Sequence, residues 1–403
     1  MVDIMTDYRL WRATATGELI ETIDDFGSFE FTSIYNDAGG WVLTTGGDIG
    51  GRLQKGENVY LRREAANGQP GRVVAGGPWT ERTTQTDTNG RIVTVSGGDE
   101  NSLLARRVVW PAPADNTPPF SPAHYIPAGD RISTTLCSSV SDHLGPTALP
   151  ERQHPGLTIA TDPVVGCDST GAGRLDNLLD FMRSLVEVAD WWLPSWDGVA
   201  TVLVIVPGVW EIALGPPVRF RISQNVFSVE ACRDLSRQIV WGVSRGNASS
   251  ASILERAPEA NAVIVGGQGD LTARAFVLGE DPDTINTWGR IERFVDRRDT
   301  ATLSASYARF ALAETPEVAA VEVVVSDAAD TWLTGWDLGD TATIAADGVT
   351  TIGQIAKVSG SLTVDGGLTI IPTVGQVGAL SQLPAVNRQT NNLDRRLSLQ
   401  ERQ

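Results

Sequence analysis

Asp-Gly pairs at hairpin spacing, set between runs that alternate apolar and hydroxyl side chains, constrain this chain more than any other feature. The stretch Trp336 to Gly375 reads Trp336-Asp337-Leu338-Gly339-Asp340, then Thr341-Ala342-Thr343-Ile344-Ala345, then the turn Asp347-Gly348. A further strand runs to Val358. Ser361-Leu362-Thr363-Val364, the turn Asp365-Gly366-Gly367 and Leu368 to Gly375 follow. A period of two sends alternate side chains to opposite faces, and Asp-Gly is a strong short-range signal for a hairpin. The stretch is predicted to be a meander of four short strands within a small barrel, which would remove the exposed edges of Thr-rich strands. Asp337 and Asp340 read as a solvated turn, with nothing resembling a reaction centre.

Composition sets the outer bounds. With 403 residues, 41% hydrophobic and 20% charged, the chain is globular and long enough for two to four domains. A formal charge of -17 argues against a surface that grips nucleic acid, because phosphate binding needs Lys and Arg to release counterions. Cys137, Cys167 and Cys232 form no CxxC and no disulfide framework. The N-terminus has no basic and apolar signal pattern. The longest apolar run, Val199 to Val206, stops at Pro207-Gly208, far short of a membrane span, so a soluble protein made in a cytoplasm is expected.

In chain order, Tyr8 to Val95 reads as strands, with turns at Asn36-Asp37, Asn67-Gly68 and Asn89-Gly90. A short helix is predicted next, capped by Asp99, buried through Leu103, Leu104 and Val108, and ended by Pro111. From Pro111 to Gly173 prolines cluster and periodicity fades. An amphipathic helix is expected from about Arg174 to Trp192, its apolar face built from residues such as Leu178, Met182 and Leu185. Trp191-Trp192-Leu193, a turn at Asp197-Gly198 and Val199 to Val206 are read as a hairpin. Strands follow at Phe220–Ile222, Val226–Val229, Gln238–Val243 and Ala262–Gly267. A helix is read over Asp299 to Glu314, capped by Asp299 or Thr300. After Pro384 the residues Val386, Leu393 and Leu397, at roughly heptad spacing, are too few for a coiled coil alone and read as a surface helix or frayed tail in preference to a trimer-forming stub. The predicted boundaries are an N-terminal β domain over 1–112, a Pro-rich and helix-hairpin region over 113–220, an α+β region over 221–317, a second β-barrel over 318–378 and a tail over 379–403.

No motif for catalysis emerges. There is no Gly-x-Ser-x-Gly elbow, and His124, His143 and His154 all sit in the Pro-rich segment. With Cys137 and Cys167 they have the right chemistry for zinc but spacings that match no ligand pairing, so no metal and no cofactor is expected. Gly171-Ala172-Gly173 before the long helix lacks a third fingerprint glycine and a lysine, and reads as a helix-entry turn. Glu280-Asp281-Pro282-Asp283 reads as a solvated turn. Most of the twelve tryptophans, Trp11, Trp41, Trp192 and Trp241 among them, fall in strand or helix patterns and read as core or interface anchors rather than sugar platforms.

Four pieces together resemble the baseplate or tail hub proteins of tailed bacteriophages, in the branch of long-tailed phages of actinobacteria. They are Gly90 to Asp99 running into Leu103 to Arg107 and Trp110-Pro111; the long helix followed by Trp191 to Gly198; Asn261 to Gly267 with the later Gly289 to Arg293; and Leu338-Gly339-Asp340 closing on Ile371 to Gly375. The resemblance implies a mainly β, multi-domain α+β fold with two similar small barrels per subunit and a peripheral α/β domain. It further implies a homotrimer whose six barrels form a pseudo-sixfold ring at the tail tip of the virion. Its expected partners are the distal tail or tail tube protein, the tape measure protein and tail fibre or receptor-binding proteins. No enzymatic activity, membrane anchor or specific nucleic-acid binding is expected. A carbohydrate-binding or glycan-cleaving β protein is the competing reading.

Overall fold

The computed structural model describes residues 8–46, 51–64, 71–88, 90–114, 124–168, 171–190, 202–206, 209–213, 217–269, 273–298, 303, 305–313, 315, 317–325, 332–346, 349–364 and 367–375. The strands are β1 (Tyr8–Ala13), β2 (Leu19–Thr22), β3 (Phe26–Ile34), β4 (Gly40–Thr45), β5 (Asn58–Arg63), β6 (Arg72–Asp87), β7 (Gly90–Gly98), β8 (Thr158–Ile159), β9 (Val202–Val206), β10 (Val209–Ala213), β11 (Val218–Ser223), β12 (Val226–Ala231), β13 (Val240–Gly242), β14 (Ala248–Arg256), β15 (Ala262–Gly266), β16 (Phe276–Glu280), β17 (Glu292–Asp296), β18 (Val318–Val325), β19 (Thr341–Ala346), β20 (Val349–Thr363) and β21 (Gly367–Gly375). The α-helices are α1 (Ile132–His143), α2 (Leu178–Asp190), α3 (Pro282–Trp288) and α4 (Ala305–Ala313), and a 3-10 helix covers Glu100–Arg106. The fold is mainly β, as the alternation requires. Its described residues fall into two compact units, one within 1–250 and 323–373 and the other within 251–322 and 374–403.

In the first unit one ladder runs β21-β20-β3-β4-β7-β6-β5-β1-β2, with β19 pairing β20 and β13 pairing β19. The N-terminal and C-terminal β regions meet where β20 lies antiparallel to β3, from Lys357↔Ile34 to Thr363↔Ser28. Period-two alternation explains the core of this sheet: Phe29, Leu43, Val93, Val95 and Val358 are fully buried. Phe29 and Trp41 stack with centroids 5.8 Å apart. At Gly360 the sheet depends on a missing side chain, because a Cβ there would lie 2.2 Å from the Phe31 ring. The meander has three strands rather than the predicted four. Its second and third segments form the single strand β20, since the intervening Ser359-Gly360 keeps its ladder pairing.

A second core in the same unit joins Leu103 and Leu104 of the 3-10 helix, Leu136 and Val140 of α1, Met182 and Leu185 of α2, and Phe220 and Phe227 of the β11–β12 hairpin. Each large apolar side chain removed from water stabilises by roughly 1.5–3 kcal/mol. The predicted helix after Asp99 is therefore real but is a 3-10 helix, its Asp99 side chain makes no capping bond, and Val108 is exposed. The long helix starts at Leu178, not Arg174, because Asn177 caps it: Asn177 Oδ1 accepts from the Leu179 N–H at 3.0 Å. Helix α1 was not foreseen. Its run of Ser and Thr conceals the apolar stripe Ile132, Leu136 and Val140, while Ser139 bonds back to the Thr135 carbonyl. Within the region read as a hairpin, β9 pairs antiparallel with β10 from Val206↔Val209 to Val202↔Ala213, and the expected turn at Asp197-Gly198 lies outside the described residues. Trp191 to Leu193 lie outside the described residues.

In the second unit β15 is central, antiparallel to β16 and parallel to β17. Val263 and Val265 of β15 pack on Ala308 and Ala311 of α4. This helix begins at Ala305, and the caps read for it lie outside the described residues. The expected solvated turn at Glu280 to Asp283 contains a helix start, with Asp281 Oδ1 accepting from the N–H groups of Asp283 at 3.1 Å and Thr284 at 3.3 Å. The tail after Gly375 lies outside the described residues. Among the described residues no helix is long and apolar enough to cross a membrane.

Candidate functional site

The first unit holds its chemistry where the hairpin β11–β12 meets the sheet. Strand β11 reads Val218-Arg219-Phe220-Arg221-Ile222, so Arg219 and Arg221 leave one face and Phe220 and Ile222 the other. The arginines meet the turn Trp336 to Asp340. Arg219 Nη1 donates to Asp340 Oδ1 at 2.9 Å and to the Leu338 carbonyl at 3.1 Å, and its Nε to Glu230 Oε2 at 3.0 Å. Arg221 donates to Asp337 and, at 3.2 Å, to Glu230. Arg233 reaches Asp340 Oδ2 through Nε at 3.0 Å and Nη2 at 2.6 Å. Burial works against the charge of Arg219, and Asp337 and Asp340 more than offset it, so its affinity for the proton is raised. Glu230 is also penalised by burial, yet Arg221 and Arg219 hold its carboxyl below the usual range.

The turn is shaped to present these acids. Asp340 Oδ2 accepts from the Asp337 N–H at 3.0 Å, and Asp337 Oδ1 from the Leu338 N–H at 2.8 Å. Gly339 sits at φ +84°, and a Cβ there would fall 2.4 Å from the Tyr35 ring and 2.6 Å from Cys232 Sγ. The reading of Asp337 and Asp340 as solvated is thus corrected: they are 3% and 0% exposed. A carboxylate this deep persists only when paired, and both are.

On the other side of β11, side chains take the place of a neighbouring strand. Asn36 Oδ1 accepts from the Phe220 N–H at 2.7 Å while its Nδ2 donates to the Val218 carbonyl at 2.8 Å. Asn101 Oδ1 accepts from the Ile222 N–H at 2.8 Å. Glu100 takes the N–H groups of Gln224 at 2.6 Å and Asn225 at 3.0 Å, and the Tyr60 hydroxyl at 3.0 Å. Burial pushes the Glu100 carboxyl up against these donors, which pull it down. The neighbouring Asp99, a half-buried residue, has its carboxyl pushed up to about 7 by desolvation. Between these groups lies a cavity of about 250 Å³.

The other residues singled out by chemistry are dispersed. His143 Nε2 accepts from the Trp110 N–H at 3.0 Å, leaving Nδ1 to donate to the Ser139 carbonyl at 2.9 Å, and burial lowers its basicity. His154 pairs with Asn225 at 3.0 Å. Cys137 and Cys167 are buried thiols outside any disulfide, and burial pushes Cys137 up to about 12. Among the described residues no group of three or more His, Cys, Asp or Glu could hold a metal ion. Gly171 and Gly173 lie against Leu185 and Phe181, several residues before α2, and form no phosphate cradle. Arg72, Arg219, Arg221 and Glu230 were missed, although Arg-x-Arg within an apolar strand was a visible signal.

This arrangement is a set of interlocks that fixes one subassembly on another, without an open acid pair or nucleophile. A sequence search of curated proteins finds no match. In structure, the chain is similar to the tail protein from Neisseria meningitidis MC58, at 12% identity and TM-score 0.52, covering 93% of this chain and 98% of that one. It is likewise similar to the 43 kDa tail protein of prophage MuSo2 from Shewanella oneidensis, at 11% identity and TM-score 0.53, covering 93% and 99%. The fold is thus that of phage tail proteins over nearly the whole length. The family model of the siphovirus ReqiPepy6 Gp37-like proteins matches residues 7–376, and the chain belongs to that family.

Proposed function

We propose that this chain is a structural hub of the phage tail tip. In this reading three copies form a ring, each contributing two small barrels drawn from residues 1–112 and 318–378, so that a threefold object mates with a sixfold tube. The ring would join the tail tube or distal tail protein, with the tape measure protein, to fibre, spike or receptor-binding parts, and would enclose the path of the leaving genome. The observation that carries this reading is the tail-protein fold spanning 93% of the chain together with the family match over residues 7–376. Supporting it, both β regions contribute to one ladder at β3 and β20, which is how paired barrels would share a wall. The acids that could have served a hydrolase, Asp337 and Asp340, are committed to arginines, which favours a non-enzymatic role. The net charge of -17 suits a lumen that repels DNA. Light scattering on the purified chain tests the assembly. Particles of three times the 43.1 kDa chain mass are expected, and a monomer at tens of micromolar would contradict the hub.

A further inference from the structure

Three arginines at one end of the first unit meet too few carboxylates to neutralise them. The 3-10 helix delivers Arg106 and Arg107, and a turn after α1 brings Arg152 beside them. Arg107 Nε donates to the Arg152 carbonyl at 3.3 Å, and Arg152 Nη2 to the Val108 carbonyl at 2.6 Å. The Arg152 guanidinium lies over the Trp110 ring, 4.4 Å from its centroid, and its Nη1 finds no hydrogen-bond partner among the described residues. None of the three arginines forms an ion pair among those residues. Burial and Arg106 lower the proton affinity of Arg107, and burial and Arg107 that of Arg152, where the exposed Glu151 opposes them less strongly. Two further acids near this end bond elsewhere and bear on neither Arg107 nor Arg152: Asp142 accepts from the Tyr125 hydroxyl at 2.9 Å and the Thr147 hydroxyl at 2.8 Å, and Asp176 from the Arg174 N–H at 3.0 Å. Half-buried like charges held side by side cost stability until an anion joins them.

A complementary surface stands at the far end of the same sheet. The corner between β2 and β3 presents Asp24 and Asp25, both exposed. Asp24 accepts from the Thr22 hydroxyl at 3.0 Å, and neither acid forms an ion pair among the described residues, whereas nearby Glu21 is taken by Arg12 and Arg52. Phe26, next in the chain, pairs with Thr45 at one end of β4. The 3-10 helix leaves β7 at Gly98, which pairs with Gly40 at the other end. The length of β4, Gly40–Thr45, at about 3.3 Å per residue puts roughly 20 Å between those ends. An ion pair closes only within about 4 Å, so the corner of one chain does not reach that chain's own arginines. Two different patches that complement each other across identical copies make a head-to-tail contact, the kind that closes into rings.

We propose that Arg106, Arg107 and Arg152 of one copy dock the Asp24-Asp25 corner of a second copy, with Trp110 as the platform under the guanidinium groups and the exposed Val108 as the apolar part of the contact. Arg and Trp are the side chains that concentrate binding energy at interfaces. Copies that each carry a charge of -17 repel one another at long range, and a basic patch facing an acidic corner gives that repulsion a local reversal and fixes the register of the contact. The inference rests on the ring reading and assigns it one of its subunit contacts.

Light scattering of the full chain at equal concentrations tests the contact by charge reversal. Arg106→Glu with Arg107→Glu, and separately Asp24→Arg with Asp25→Arg, should each weaken association at least about tenfold, because like charges then face each other. The chain carrying all four substitutions again opposes unlike charges and should regain the wild-type mass, which separates docking from folding. A monomeric wild type overturns the ring and this contact together. An associated wild type whose mass neither reversal lowers overturns the contact and leaves the ring standing, as does a four-substitution chain that folds yet stays dissociated. Should the arginine variants unfold, Asp24→Arg with Asp25→Arg, changed at exposed side chains alone, decides: a lowered mass supports the contact and an unchanged one overturns it.

Discussion

Asp340 is 0% exposed and accepts from the Arg219 guanidinium, the Arg233 guanidinium and backbone N–H, and the Asp337 N–H. Removing one partner of a buried pair strands the others, so Asp340→Asn is expected to cost about 3 kcal/mol, read as a lower urea midpoint of the first unit. Arg52→Gln, which breaks the exposed pair with Glu21 in the same unit, should shift that measurement little. Asp99 gives a pH signature. Its folded carboxyl, raised to about 7 by burial, keeps a proton that the unfolded chain releases near pH 4. Stability from this residue is therefore fully present below about pH 4 and is lost as pH rises to about 7, by on the order of 1 kcal/mol per pH unit. Asp99→Asn should remove that slope, so unfolding midpoints of variant and wild type diverge in the variant's favour from pH 5 to 8. Asp37 and Glu100, also raised by burial, act in the same direction and are common to both proteins. A constant gap across that range would show that Asp99 is ionised in the folded chain.

Strand β11 is held by side chains where another strand would otherwise lie, and this makes a single asparagine a structural element. Asn101→Ala leaves the buried Ile222 N–H without an acceptor, at about 1–3 kcal/mol. Hydrogen exchange should show that amide losing protection while the β5–β6 ladder keeps its own; unchanged protection at Ile222 would contradict the strand-substitute role. Gly360→Ala should lower the midpoint of the same unit, because the Phe31 ring occupies the space its Cβ needs. At this scale the sequence was legible wherever period-two alternation had one apolar face, as in β3, β4 and β7. It was opaque where polarity masked the period: α1 hides Ile132, Leu136 and Val140 among Ser and Thr, and β17 exposes Phe294 on an open face. Long pairing also merged segments that a glycine had divided, as in β20. Asp337 and Asp340 looked like turn residues because local sequence cannot show that Arg219, over a hundred positions away, closes on them.

For the molecule as a whole, four dispersed pieces of sequence already resembled tail hub proteins, and the fold and family agree with that resemblance across most of the chain. Of the residues that interlock the first unit, Arg219 and Arg221 left a trace as Arg-x-Arg in an apolar strand, but their partners did not, because the pairing is a set of long-range contacts rather than a motif. In the proposed ring, a charge of -17 is expected to leave the inner wall net acidic, and a wall lined mainly by arginine would remove that part of the proposal. The central claim is one of place. Electron microscopy of intact particles labelled with gold-tagged antibody against this chain tests it most directly: gold confined to the distal end of the tail is expected, and gold on the capsid, or particles without label, would contradict it.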